Sequence, residues 1–183
     1  MPGLTPRSIV EMFDILNTME NYKIKLSCYM VEIYLDHLRD LLLPPGEPVK
    51  KLDPKNINGQ LIIPDVTIVD ILDVAQAEEI FEKGLSGRKV RKTAMNSESS
   101  RSHLIFAIMI ESTNTNTGVL SRGKLSFVDL AGSEKSSKTG TTKEGQDEAN
   151  AINMSLSALG NVISTLSTGG TPSYRSNMLT KLM

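Results

Sequence analysis

The sequence predicts an α/β layer folded as one domain, and three observations carry that prediction. Residues 25–35 alternate with period two, Ser27, Tyr29, Val31 and Ile33 on one side and Leu26, Cys28 and Met30 on the other. Both sides are largely apolar, which suits a strand inside a covered sheet. Residues 104–110 and 124–131 are two further apolar runs joined by a polar turn, the pattern of an antiparallel pair of buried strands. Ile152, Leu156, Leu159, Ile163 and Leu166 then recur at helical spacing.

The remaining elements follow in order. Ile9, Met12, Phe13 and Leu16 mark a short amphipathic helix, with Thr5 as its cap and Pro6 in its first turn. Pro44-Pro45-Gly46 breaks the chain, and a loop runs to Asn58-Gly59 before a short strand at 61–63. Asp73 with Gln76 three residues on has the form of a capping box. It opens a helix lined by Ala77, Ile80 and Phe81 that ends near Gly84 or Gly87. The basic run 88–92 reads as a solvated loop, with contact to a phosphate or a partner as the alternative, and 113–118 as a turn. Residues 132–145 are polar and rich in Lys, Ser, Thr and Gly, and Gly169-Gly170 stops the last helix.

Composition narrows the function classes. The 183 residues carry 20 Lys and Arg against 21 Asp and Glu, a formal net charge of -1, which argues against a generally basic nucleic-acid binder. The single cysteine, Cys28, permits neither an internal disulfide nor a cysteine-based zinc site. No apolar run approaches the length of a membrane span, and the first residues show no targeting pattern. A cytoplasmic globular protein with neither nucleic acid nor membrane as a partner is expected. His37 is isolated, His103 reads as structural, and Tyr29 and Tyr34 read as packing.

Two motifs carry chemistry. Residues 96–103 read Asn-Ser-Glu-Ser-Ser-Arg-Ser-His, directly before the first apolar run. Residues 129–134 read Asp-Leu-Ala-Gly-Ser-Glu, at the end of the second. Each alone is a common turn sequence. Together they supply what nucleotide hydrolases need: a hydroxyl for Mg²⁺, a carboxylate near the metal, and a backbone N–H that senses the γ-phosphate. Ser100 can give the hydroxyl, Asp129 the carboxylate and Gly132 the N–H, since a residue without Cβ lets phosphate approach the backbone closely. Arg101 and Glu134 are opposite charges suited to latch the two loops.

These motifs resemble the two switch loops of kinesin motor domains. The segment Ile152-Asn-Met-Ser-Leu-Ser-Ala-Leu-Gly-Asn161 resembles the family's microtubule-facing helix, and 174–180 the loop after it. Gly3-Leu-Thr-Pro-Arg7, 29–34 and 122–129 are most similar to the C-terminal-motor class, particularly the kinesin-like calmodulin-binding proteins. The resemblance runs the whole length, 1–183. It implies part of a kinesin-type P-loop NTPase motor fold, a central mixed sheet flanked by helices, without the phosphate-loop strand and the C-terminal elements.

It also implies a microtubule-stimulated ATPase using ATP and Mg²⁺. Asn96, Ser100, Asp129 and Gly132 would meet nucleotide, with Ser100 and Asp129 holding the metal, the latter through water. Ser99, Ser100, Arg101, Gly132 and Glu134 would act in catalysis. Lys135, Lys138, Lys143, Asn153, Arg175 and Lys181 would face the acidic microtubule surface. Met154 and Met178 stand where the family commonly has cations, which implies weaker, more salt-sensitive attachment. Calmodulin would be a partner only through elements outside this chain, and the location would be cytoplasm and cytoskeleton.

The Gly-x-x-x-x-Gly-Lys-Ser/Thr phosphate loop does not occur in these residues. Its near miss, 118–125, ends in Leu125, which cannot ligate a metal, and precedes a strand rather than following one. The expectation is therefore a fragment carrying the switch and filament half, inactive alone as an ATPase. The alternative is a non-catalytic module that binds tubulin or a partner motor without nucleotide turnover.

Overall fold

A computed structural model describes residues 3–57, 59–92, 101–133 and 143–183. Helix α1 (Leu4–Asn17) starts one residue before Thr5, so Gly3 takes the N-cap without a side-chain bond and the expected Thr5 cap is corrected; Pro6 does fall in the first turn. Strand β1 (Tyr22–Tyr34) then runs through the middle of the sheet. It pairs with β6 (His103–Asn114) on one flank, and with the short strands β2 (His37–Asp40) and β5 (Val69–Ile71) on the other. Strand β7 (Leu120–Asp129) continues the sheet from β6, and β3 (Lys55–Ile57) with β4 (Gln60–Ile62) forms a separate hairpin. Every pairing among the described strands is antiparallel.

The alternation in β1 sorts the interior into two cores. Leu26, Cys28 and Met30 join Leu104, Phe106 and Ile108 under α1 and α2 (Val74–Lys92). Tyr29, Val31 and Ile33 join Ile105 and Ala107 under α3 (Lys143–Ser167) and α4 (Met178–Lys181). Helix α2 is capped by Asp73 as expected, its carboxylate accepting from Gln76 N–H at 2.8 Å, but the Gln76 side chain accepts from Leu72 N–H at 2.7 Å, one residue before the N–H a capping box uses. It does not stop at Gly84 or Gly87. Gly84 is instead the point of closest approach to the sheet, since a Cβ there would lie 2.1 Å from Met30 Sδ. The basic run thus continues the helix rather than forming a loop.

Two other expectations are corrected. β7 is largely exposed rather than buried, because among the described residues only β6 pairs with it. The covered face of α3 is Ser155, Leu159 and Val162, whereas Ile163 is 58% and Leu166 52% exposed. The helix ends as expected, with Gly169 at φ +73 and Gly170 N–H on the Thr165 carbonyl at 2.9 Å.

Candidate switch-loop site

The antiparallel register builds the site. Leu104 pairs with Asp129, so the start of β6 and the end of β7 lie side by side. The residues leading into β6 alternate across the sheet. Ser102 turns to the α2 side, where its hydroxyl donates to Glu32 at 2.6 Å. Arg101 and His103 turn to the α3 side, where Arg101 Nη1 meets Glu148 Oε2 at 2.6 Å and His103 Nε2 meets Ser155 Oγ at 2.7 Å.

On the α2 side, Glu32, Leu104 and Asp129 occupy one row across three strands. Arg88 lies four residues beyond Gly84, one helical turn along the same face of α2, and spans that row. Its Nε approaches Glu32 at 3.4 Å, its Nη1 donates to Asp129 Oδ2 at 2.9 Å, and its Nη2 donates to the Ser102 carbonyl at 2.9 Å. Arg88 is 5% exposed, buried between two carboxylates. The sequence placed it in a solvated run. Only the i, i+4 relation to a glycine that touches the sheet could have signalled its burial.

Asp129 itself stays open, its side chain 66% exposed. Arg88 anchors one oxygen of this carboxylate, and the exposed remainder is chemically able to hold a metal ion through water. Gly132 follows Ala131, whose N–H is taken by His103 Nδ1 at 2.9 Å. Burial, and then the nearby Arg88 charge, push the His103 imidazole below its ordinary pKa of 6.5 and keep it neutral.

On the α3 side, Glu148 also accepts from the Tyr34 hydroxyl, so Tyr34 is more than packing. That bond raises the Tyr34 pKa, as burial does. The Arg39 guanidinium covers the Tyr34 ring 4.4 Å from its centroid. Arg101 is thus bound to Glu148. Glu134, expected as its partner, lies outside the described residues, as do Asn96, Ser99, Ser100, Lys135 and Lys138.

Of the expected filament-facing residues, Lys143 opens α3, and Asn153 is exposed on it. Arg175, in a 3-10 turn (Tyr174–Ser176), and Lys181, on α4, share a groove with Asn56 and Leu61 of the β3–β4 hairpin. That groove includes neither Lys143 nor Asn153. Met154 is 67% exposed. Met178 is not a surface position: it packs in the core beneath α4, so its identity removes no charge from an exposed face.

The adjacent ends of β6 and β7, with the long helix α3 packed over that face, belong to a mixed α/β core. The chain belongs to the kinesin motor domain family, whose sequence profile matches residues 1–183. Among characterised proteins it is similar to Kinesin-like protein KIN-14E of Arabidopsis thaliana and Kinesin-like protein KIN-14I of Oryza sativa, at 46% identity over all of this chain. It spans 15% of each of those proteins. Among solved structures, the C-terminal motor and motor homology domain of Kar3Vik1 superposes with a TM-score of 0.84 at 33% identity, covering 98% of this chain and 48% of that one. A fast kinesin superposes at 0.82 with 37% identity, and this chain covers 51% of it. These relatives agree with the C-terminal-motor resemblance, and the fold agrees with the α/β class.

Proposed function

We propose that this chain is the nucleotide-sensing and filament-binding half of an ATP-driven microtubule motor, and works in the cytoplasm on the cytoskeleton. The register that pairs Leu104 with Asp129 is the observation that carries the reading. It supports a single site made from two motifs separated in sequence, at the sheet end where α3 packs. Ser100 would hold Mg²⁺ and Asp129 would hold its water shell, with Asn96 and Ser99 lining the same pocket. Bound with the triphosphate, Mg²⁺ neutralises charge on the phosphates.

The protein groups act by position. Arg88 fixes one Asp129 oxygen and balances its charge. Gly132 offers an N–H toward the γ-phosphate on a backbone bare enough for close approach. Arg101 and Glu134 would close the site, and Glu148 supplies Arg101 with a partner on α3. The cations Lys135, Lys138, Lys143, Arg175 and Lys181, with Asn153, would meet the acidic filament. Such contacts accelerate encounter and are screened by salt.

No residue in the 183 forms a Gly-x-x-x-x-Gly-Lys-Ser/Thr loop, whose backbone amides would grip the phosphates. The purified chain is therefore expected to show no Mg²⁺-dependent ATP turnover above a Ser100→Ala control in a phosphate-release assay. Turnover above that control would overturn the assignment of the chain as a sensing half.

A further inference from the structure

We propose that His103 is a positioning residue that ties the loop after β7 to helix α3, so that displacement of either is carried to the other. The imidazole is 3% exposed and has a partner on each nitrogen. Ala131 N–H can only donate, so Nδ1 must be the bare nitrogen that accepts it. The ring proton therefore sits on Nε2 and donates to Ser155 Oγ, 2.7 Å away. With that lone pair occupied, the Ser155 hydroxyl donates to the Ile152 carbonyl at 2.7 Å. One backbone amide thus fixes the direction of all three bonds.

Two properties make this a link rather than incidental packing. Ala131 is 5% exposed and Ser155 4% exposed, so water cannot readily replace either contact. Ala131 also adjoins Gly132, so any shift that brings the Gly132 N–H toward a phosphate moves the Ala131 N–H as well. At the other end, Ser155 lies one residue from the exposed Met154 and two from Asn153, on the part of α3 offered to the filament. The inference rests on the proposed function for what moves the loop and what binds the helix. The hydrogen-bond chain itself is independent of that reading.

The test uses the 183-residue chain with ¹⁵N-labelled histidine and amide hydrogen exchange. In the unmodified chain, His103 is expected to show the neutral Nε2–H form; an Nδ1–H or doubly protonated ring at neutral pH would overturn the proposal, whatever the variants do. Ser155→Ala is expected to accelerate exchange at Ala131 about tenfold, the scale of one lost buried hydrogen bond, while Phe106 and Ala107 keep their rates and Ser155→Thr restores Ala131. Unchanged exchange at Ala131, or equal acceleration at all three amides, would overturn it. Adding microtubules should alter Ala131 protection in the unmodified chain and not in Ser155→Ala; an equal change in both also overturns it. If the unmodified chain binds no microtubules, the function reading fails, and the link stands or falls on the tautomer and exchange results.

Discussion

Arg88 connects β1, β7 and the residue before β6 through one guanidinium, and its burial gives a sharp energetic expectation. Glu32 is 6% exposed and relies on Arg88 and Ser102 for compensation, with Arg39 Nη1 4.0 Å away. Replacing Arg88 with Met leaves a buried carboxylate short of its main counter-charge. Such losses cost about 3–5 kcal/mol, so urea unfolding should show Arg88→Met destabilised on that scale. His103 gives a second expectation, in pH. Its pKa is lowered in the folded chain, so the unfolded chain binds the proton more readily and stability rises with pH across that range. The contribution is complete above the unfolded value of 6.5 and declines as pH falls toward the lower folded value. Unfolding midpoints measured from neutral pH into mild acid should fall, and His103→Gln should flatten that part of the profile. Cys28, buried with its thiol pushed up to about 12, is expected to resist alkylation in the folded chain.

At the scale of elements, the close seat of α2 on β1 depends on Gly84. An added Cβ would meet Met30 Sδ, and Met30 is itself fully buried. Overpacking of this kind costs about 1–3 kcal/mol, more than the roughly 0.5–1 kcal/mol a helix gains when Ala replaces Gly. Gly84→Ala should therefore lower stability in denaturant melts despite its better helix propensity; a rise would contradict the seating described here. The same residue explains why the sequence misled. A glycine late in an amphipathic pattern normally marks a helix end, but here it marks a helix–sheet contact, and Arg88 one turn later is buried by it. The strand β1 was legible because both its faces are apolar. Strands β2, β3 and β5, at three or four residues each, were missed or merged into loops because they are too short to show a period. In α3 the apolar stripe was legible but its covered side was not. The covered face passes through Ser155, a polar residue bonded to His103, so Ile163 falls beside it at the surface, while Leu166 shares that face but lies in the last turn and is half exposed.

At the scale of the whole molecule, the sequence motifs supplied the family and the likeness of the two loops, while the register supplied their adjacency. Neither Asp129 nor Arg101 reveals in sequence that its bound partner comes from a distant helix, Arg88 from α2 and Glu148 from α3. The net charge of -1 conceals a local gathering of cations, since Arg175 and Lys181 share one groove beside the β3–β4 hairpin. Filament attachment through those cations is the central claim. It is tested most directly by co-sedimentation of the purified chain with microtubules across a salt series, beside Arg175→Glu/Lys181→Glu. The account predicts pelleting at low salt that weakens as salt is added, and little pelleting of the double variant at any salt. Equal pelleting of the two proteins, or attachment indifferent to salt, would contradict it.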